Sequence, residues 1–107
     1  MRISTTKHIV LTGFMGAGKS EIGKLLAQTI GYPFWDTDSE IEKIAHMAIS
    51  DIFKKNGEAA FRRMESEIIQ KLCQGSRSVI ATGGGAVIDP QNREIMRLNG
   101  VTVYLTA

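Results

Sequence analysis

The eight residues Gly13-Phe14-Met15-Gly16-Ala17-Gly18-Lys19-Ser20 satisfy G-x-x-x-x-G-K-[ST] in full, between an apolar run and a stretch of helical rhythm. The pattern needs a strand that turns tightly into a helix. Its glycines let successive backbone N–H groups turn inward around phosphate oxygens, Lys19 can reach the terminal phosphates, and the Ser20 hydroxyl can ligate Mg²⁺. A helix starting near Gly18 aims its unpaired N–H groups and positive dipole end at the same anion. The chain is therefore expected to bind a nucleoside triphosphate. A chance glycine-rich turn lacks this flanking strand and helix.

The rest of the chain reads as an α/β domain. Lys7 to Thr12, with Ile9-Val10-Leu11 in continuous apolar sequence, has the form of a strand covered on both faces. From Lys19, the apolar residues Ile22, Leu25, Leu26 and Ile30 follow helical spacing to Gly31, a natural stop. Pro33-Phe34-Trp35 reads as a second strand, and Thr37-Asp38-Ser39-Glu40 as a capping box opening a helix through Ile41, Ile44 and Ala45. Ser50 is a candidate cap for a further short turn. A longer helix is expected from Glu58 to Leu72, with Phe61, Met64, Ile68 and Leu72 facing the core. Ser78 to Thr82 reads as a third strand, Pro90 to Asn99 as a helix and Val101 to Leu105 as a fourth strand. Strands alternating with helices predict a parallel sheet in a three-layer arrangement.

Composition narrows the classes of function. The 107 residues allow one domain, and 43% hydrophobic with 22% charged residues is a soluble, globular balance. No apolar stretch approaches the length of a membrane span, and Met1 to Thr6 lacks the layout of a signal peptide. A net charge of +2, from 13 basic and 11 acidic residues, does not mark a nucleic-acid surface. The expectations are a cytoplasmic protein and small anionic ligands. The single Cys73 excludes an internal disulfide and reads as a partly buried thiol on a helix; His8 and His46 lack ligand-spaced partners and read as structural.

Three further groups of residues have functional readings. Asp36 and Asp38 flank Thr37 at the carboxyl end of strand two, the edge at which open parallel sheets bind ligands. One carboxylate could hold Mg²⁺ through water while the other accepts a proton or hydrogen bond from an attacking hydroxyl; equally, an Asp in a first helical turn stabilises the dipole with no chemistry at all. Arg62 and Glu65 share a helix face, as do Arg63 and Glu67. Such pairs are usually a solvated surface, but an arginine facing an anionic pocket offers a planar fork for a carboxylate. Gly83-Gly84-Gly85 after a strand permits close approach of a ligand to main-chain N–H groups, or is a plain flexible turn.

Taken in order, GFMGAGKSEIGKLLA, FWDTDSEIE, FRRME and ATGGGAV make this sequence resemble the N-terminal part of the shikimate kinases over nearly its whole length. The resemblance implies a P-loop kinase fold over residues 1–107, ATP and Mg²⁺ as cofactors, and transfer of the γ-phosphoryl group to the 3-hydroxyl of shikimate on the route to chorismate and aromatic amino acids. It implies that Gly16, Ala17, Gly18, Lys19, Ser20 and Glu21 bind ATP, that Lys19 and Asp38 are catalytic, and that Ser20 holds Mg²⁺ directly and Asp36 through water. By the same likeness Asp38, Arg62 and Gly84 bind shikimate, with Glu65, Gly83 and Gly85 in support. The expected partners are shikimate and ATP, with neither nucleic acid nor membrane, and the full-length form is expected to be a monomer.

Departures from the family pattern qualify this. Glu21 puts a negative charge where many of these kinases carry a second hydroxyl residue. The lid, the second shikimate-binding arginine, the adenine-contacting segment, the last strand and the C-terminal helices are expected beyond Ala107. The chain thus reads as a fragment, with an open sheet edge and little turnover of its own. Two other readings share the phosphate loop: a sugar-acid or nucleoside monophosphate kinase, and a catalytically silent nucleotide-binding module.

Overall fold

A run of consecutive apolar residues is stable as a strand only when both of its faces are covered, and strand β1 (His8–Gly13) is buried along its whole length. The computed structural model describes residues 8–13, 18–83 and 85–105. Strand β2 (Phe34–Asp36), β3 (Val79–Ala81) and β4 (Gly100–Leu105) complete one sheet in the order β2-β3-β1-β4. Every pairing is parallel, with Val10 opposite both Ile80 and Thr102.

Alternation along the strands divides the core between two helical layers. Ile9, Leu11 and Val79 pack with Ala27 of α1 (Lys19–Ile30), and Val10 and Ile80 pack on the other side with Ile69 and Cys73 of α4 (Glu58–Gln74) and Met96 of α5 (Pro90–Asn99). A third cluster, Ile41, Ile52, Phe61 and Ile68, joins α2 (Thr37–Ala45) and α3 (Ile49–Asn56) to α4. The three-layer α/β architecture with a parallel sheet is thus present.

Several local expectations need correction. Asp36, not Thr37, caps α2: its Oδ1 accepts from Ser39 N at 3.2 Å, and Thr37 is the first helical residue and fully buried. Ser50 lies inside α3, whose cap residue is Ala48; Glu42 Oε2 accepts from Ile49 N at 3.0 Å and so caps the helix from α2, a tertiary contact invisible to a local pattern. The face α1 buries is Gly23 and Ala27, with Ile22 and Leu25 exposed. Leu26 and Ile30 pack half-buried beside them as expected, and a Cβ on Gly23 would collide with the Phe34 ring, so the helix lies close on the sheet at that residue. Among the described residues no ion pair joins Arg63 to Glu67. Lys7 lies outside the described residues.

His8 and Cys73 are both buried. The His8 Nδ1 accepts from Ser78 N at 3.1 Å, so Nε2 carries the proton and donates to Cys73 O at 3.0 Å, tying the start of β1 to the end of α4. His46 closes α2 in the left-handed region, with φ of 56°.

Candidate active site

All four strands end at one edge of the sheet, and there Gly18, Lys19, Ser20, Asp36, Asp38 and Gly83 line a cavity of about 270 Å³. Gly18 precedes α1 with φ of 76°, a conformation that suits a residue without a Cβ, and brings the start of the helix over the end of β1. Lys19 then reaches back to Gly13 O at 2.7 Å. Ser20 Oγ donates to Asp36 Oδ2 at 2.6 Å while the other Asp36 oxygen caps α2. Glu21, in the first turn of α1, lines the cavity and is exposed.

The Ser20–Asp36 pair fits a hard cation. With its proton given to Asp36, the Ser20 oxygen still has lone pairs to offer, and a hydroxyl beside a carboxylate is the oxygen donor chemistry that Mg²⁺ takes. Among the described residues no group of three or more His, Cys, Asp or Glu is placed to hold a metal. A pair of protein oxygens completed by substrate phosphates is the usual form of a Mg²⁺ site in phosphoryl transfer.

Asp38 of α2 and Gly83 complete the lining, with Arg62 and Glu65 of α4 packed against the glycine turn. Asp38 Oδ1 and Glu65 Oε2 are buried without hydrogen-bond partners among the described residues, and each lies within 3.1 Å of where a Cβ on Gly83 would stand. A Cβ on Gly83 would press on both carboxyls, and the Gly83 N–H donates to Thr37 Oγ1 at 3.2 Å. Arg62 Nη1 donates to Glu65 Oε1 at 3.0 Å, and its guanidinium lies 5.3 Å from the Phe61 ring centroid. A Cβ on Gly85 would collide with Arg62 Nη1 and Nη2, so the guanidinium rests on the glycine backbone. Glu58 also reaches Arg62 Nε, at 3.7 Å.

Burial is the main cause of the unusual electrostatics here. It pushes the Asp38 carboxyl above its ordinary value, Asp36 and Glu42 add to the rise, and Lys19 and Arg62 pull against it. Burial likewise raises the Glu65 carboxyl, opposed by its bond to Arg62 and reinforced by the charge of Asp38. A half-buried carboxylate with a raised pKa, lining a cavity together with a lysine, has the properties of a general base.

The shikimate kinase family model matches residues 15–107. A shikimate kinase from Geobacter sulfurreducens is 51% identical over 104 residues, 97% of this chain and 58% of that protein, and one from Ruegeria pomeroyi is 48% identical over 94% of this chain and 52% of its own length. The chain belongs to the shikimate kinase family. It spans a little over half the length of the curated relatives it matches. The structure of shikimate kinase from Acinetobacter baumannii in complex with shikimate superposes with a TM-score of 0.93 at 42% identity, covering 96% of this chain and 57% of that one. A gluconokinase from Sinorhizobium meliloti, at 20% identity and a TM-score of 0.57, shares the fold alone.

Of the residues singled out in the sequence, the structure brings Gly18, Lys19, Ser20, Glu21, Asp36, Asp38 and Gly83 to one cavity, with Arg62, Glu65 and Gly85 against its glycine wall. Gly16, Ala17 and Gly84 lie outside the described residues. Thr37, read only as a cap, holds the Gly83 N–H instead, and its place between two aspartates was the available signal. The burial of Glu65, 1% exposed, was also legible: it falls four residues after Phe61 and three before Ile68, on the apolar stripe of α4.

Proposed function

We propose that this chain carries a phosphate-binding wall and an acceptor-binding wall of a shikimate kinase, which passes the γ-phosphoryl group of ATP to the 3-hydroxyl of shikimate and leads toward chorismate and the aromatic amino acids. The observation that carries the reading is that one cavity collects Lys19, Ser20 and Asp36 as one wall and Asp38 with Gly83, beside the Gly85 on which Arg62 rests, as another. The first wall suits a polyphosphate, and the second suits a hydroxylated carboxylic acid.

On this reading the backbone of Gly16 to Ser20 cradles the phosphates, Lys19 neutralises charge developing on the transferred group, and Glu21 borders the nucleotide. Ser20 would hold Mg²⁺ directly and Asp36 would hold it through water, and the ion when bound would supply further charge neutralisation. Asp38 orients the attacking hydroxyl and takes its proton, helped by a pKa that burial raises above its ordinary value. Arg62 grips the carboxylate of the acid with the Gly84 backbone, and Glu65 fixes the guanidinium plane. Catalysis is mostly positioning and charge neutralisation, since phosphoryl transfer asks little covalent chemistry of the protein. A single domain working as a cytoplasmic monomer completes the proposal.

The test is shikimate-dependent release of ADP from ATP and Mg²⁺ by the full-length gene product, with gluconate and nucleoside monophosphates as competing acceptors. Release with shikimate alone supports the assignment. Release with another acceptor, or nucleotide binding with no acceptor-dependent turnover, overturns it in favour of another small-molecule kinase or a binding module.

A further inference from the structure

The turn that follows the glycine triplet is held from outside the site by two neighbouring side chains of α5. Residues Ala86–Ile88 form one turn of 3₁₀ helix, in which Ala86 N donates to Gly83 O and Ile88 N to Gly85 O, both at 3.1 Å. Asn92, 1% exposed, donates from Nδ2 to Ala86 O at 3.0 Å. Arg93 donates from Nη1 to Val87 O at 2.6 Å and reaches Ile88 O at 3.4 Å. All three carbonyls of the turn are thus bound by consecutive residues of one helix, whose start is itself fixed by Asp89 capping Gln91 N at 2.8 Å.

The Asn92 bond has a cost that shows its purpose. Its Oδ1 is buried with no partner among the described residues, so the amide gives up the hydration of its oxygen to place its nitrogen on Ala86 O. Ala86 is fully buried in the core cluster with Val10, Ile80 and Met96, so the clamp refers the turn to the sheet and α5 together. At its other end the same turn carries Gly83, bonded to Thr37, and Gly85, on which the Arg62 guanidinium rests.

We propose that Asn92 and Arg93 are positioning residues for the acid substrate: by holding Ala86–Ile88 they fix Gly83 and the Gly85 on which rests the Arg62 guanidinium that meets the carboxylate. The inference rests on the shikimate kinase reading, and neither residue touches the reacting atoms. Misplacement of the turn should weaken the grip on the acid and leave the phosphate side unchanged, because Lys19, Ser20 and Asp36 belong to other elements.

The test compares Asn92→Leu and Arg93→Ala with the unsubstituted full-length gene product, reading KM for shikimate, KM for ATP and amide hydrogen exchange at residues 83–88. Loss of one net hydrogen bond predicts a KM for shikimate raised about tenfold in Asn92→Leu and about threefold in Arg93→Ala, with KM for ATP held and exchange at residues 83–88 accelerated. Arg93 is exposed, so its variant keeps the proposal testable where Asn92→Leu loses stability. Folded variants with KM for shikimate unchanged, or with an equal effect on KM for ATP, overturn the inference. Absence of shikimate-dependent turnover in the unsubstituted protein sinks the kinase reading instead; exchange at residues 83–88 then decides the clamp, and unchanged exchange overturns it.

Discussion

The two walls of the cavity are built on different principles. On the phosphate wall, Ser20 and Asp36 satisfy each other and Lys19 has a carbonyl partner, so the side chains wait in a hydrogen-bonded arrangement. On the acceptor wall, Asp38 Oδ1 and Glu65 Oε2 are buried without partners among the described residues, and both carboxyls have raised pKa values. The phosphate wall takes Lys19 and Ser20 from the start of α1 and Asp36 from the end of β2, whereas the acceptor wall collects groups from α2, α4 and the glycine turn. Unmet hydrogen-bonding capacity therefore lies beside the glycine turn, on the side proposed to bind the acid.

The sharpest way to separate the walls is to remove one group from each. Lys19→Ala should lower kcat roughly a hundredfold or more, the scale for losing one electrostatic contact to a transition state, and Asp38→Asn should collapse turnover with nucleotide affinity largely kept. Weaker nucleotide binding in Asp38→Asn would move that carboxylate to the phosphate wall. Next in size, Arg62→Lys keeps the charge but loses the planar fork, and should raise KM for the acid roughly tenfold with KM for ATP unchanged, as steady-state kinetics would read. Thr37→Val removes the acceptor of a main-chain N–H and should cost about 1–3 kcal/mol in denaturant unfolding.

The smallest effect concerns stability and pH. Because the folded Asp38 and Glu65 carboxyls bind protons more tightly than they do in the unfolded chain, their contribution is full at acid pH and is lost as pH rises through the raised folded values. Asp38→Asn should therefore raise the melting temperature at neutral pH, and the gain should shrink toward acid. A variant less stable than the parent at neutral pH would break the contrast between the walls.

That contrast also explains what the sequence made legible. The strand, the loop and α1 follow one another, so Gly13 to Ser20 announced a phosphate site, and runs such as Ile9-Val10-Leu11 announced a sheet covered on both faces. Asp38, Arg62 and the glycine triplet are far apart in the chain, and their own spacing left a solvated surface or a dipole contact as good a reading; only the likeness to shikimate kinases drew them together. The Glu42 cap on α3, the Thr37 bond to Gly83 and the close seating of α1 on Gly23 are contacts between elements, which no local periodicity encodes.

Calorimetric titration of shikimate and of an ATP analogue into Lys19→Ala and Arg62→Ala full-length proteins tests the division of labour most directly. Lys19→Ala should retain affinity for shikimate, while Arg62→Ala should lose affinity for shikimate and retain the nucleotide. Loss of shikimate binding in Lys19→Ala, or retention of it in Arg62→Ala, would contradict the assignment of the two walls.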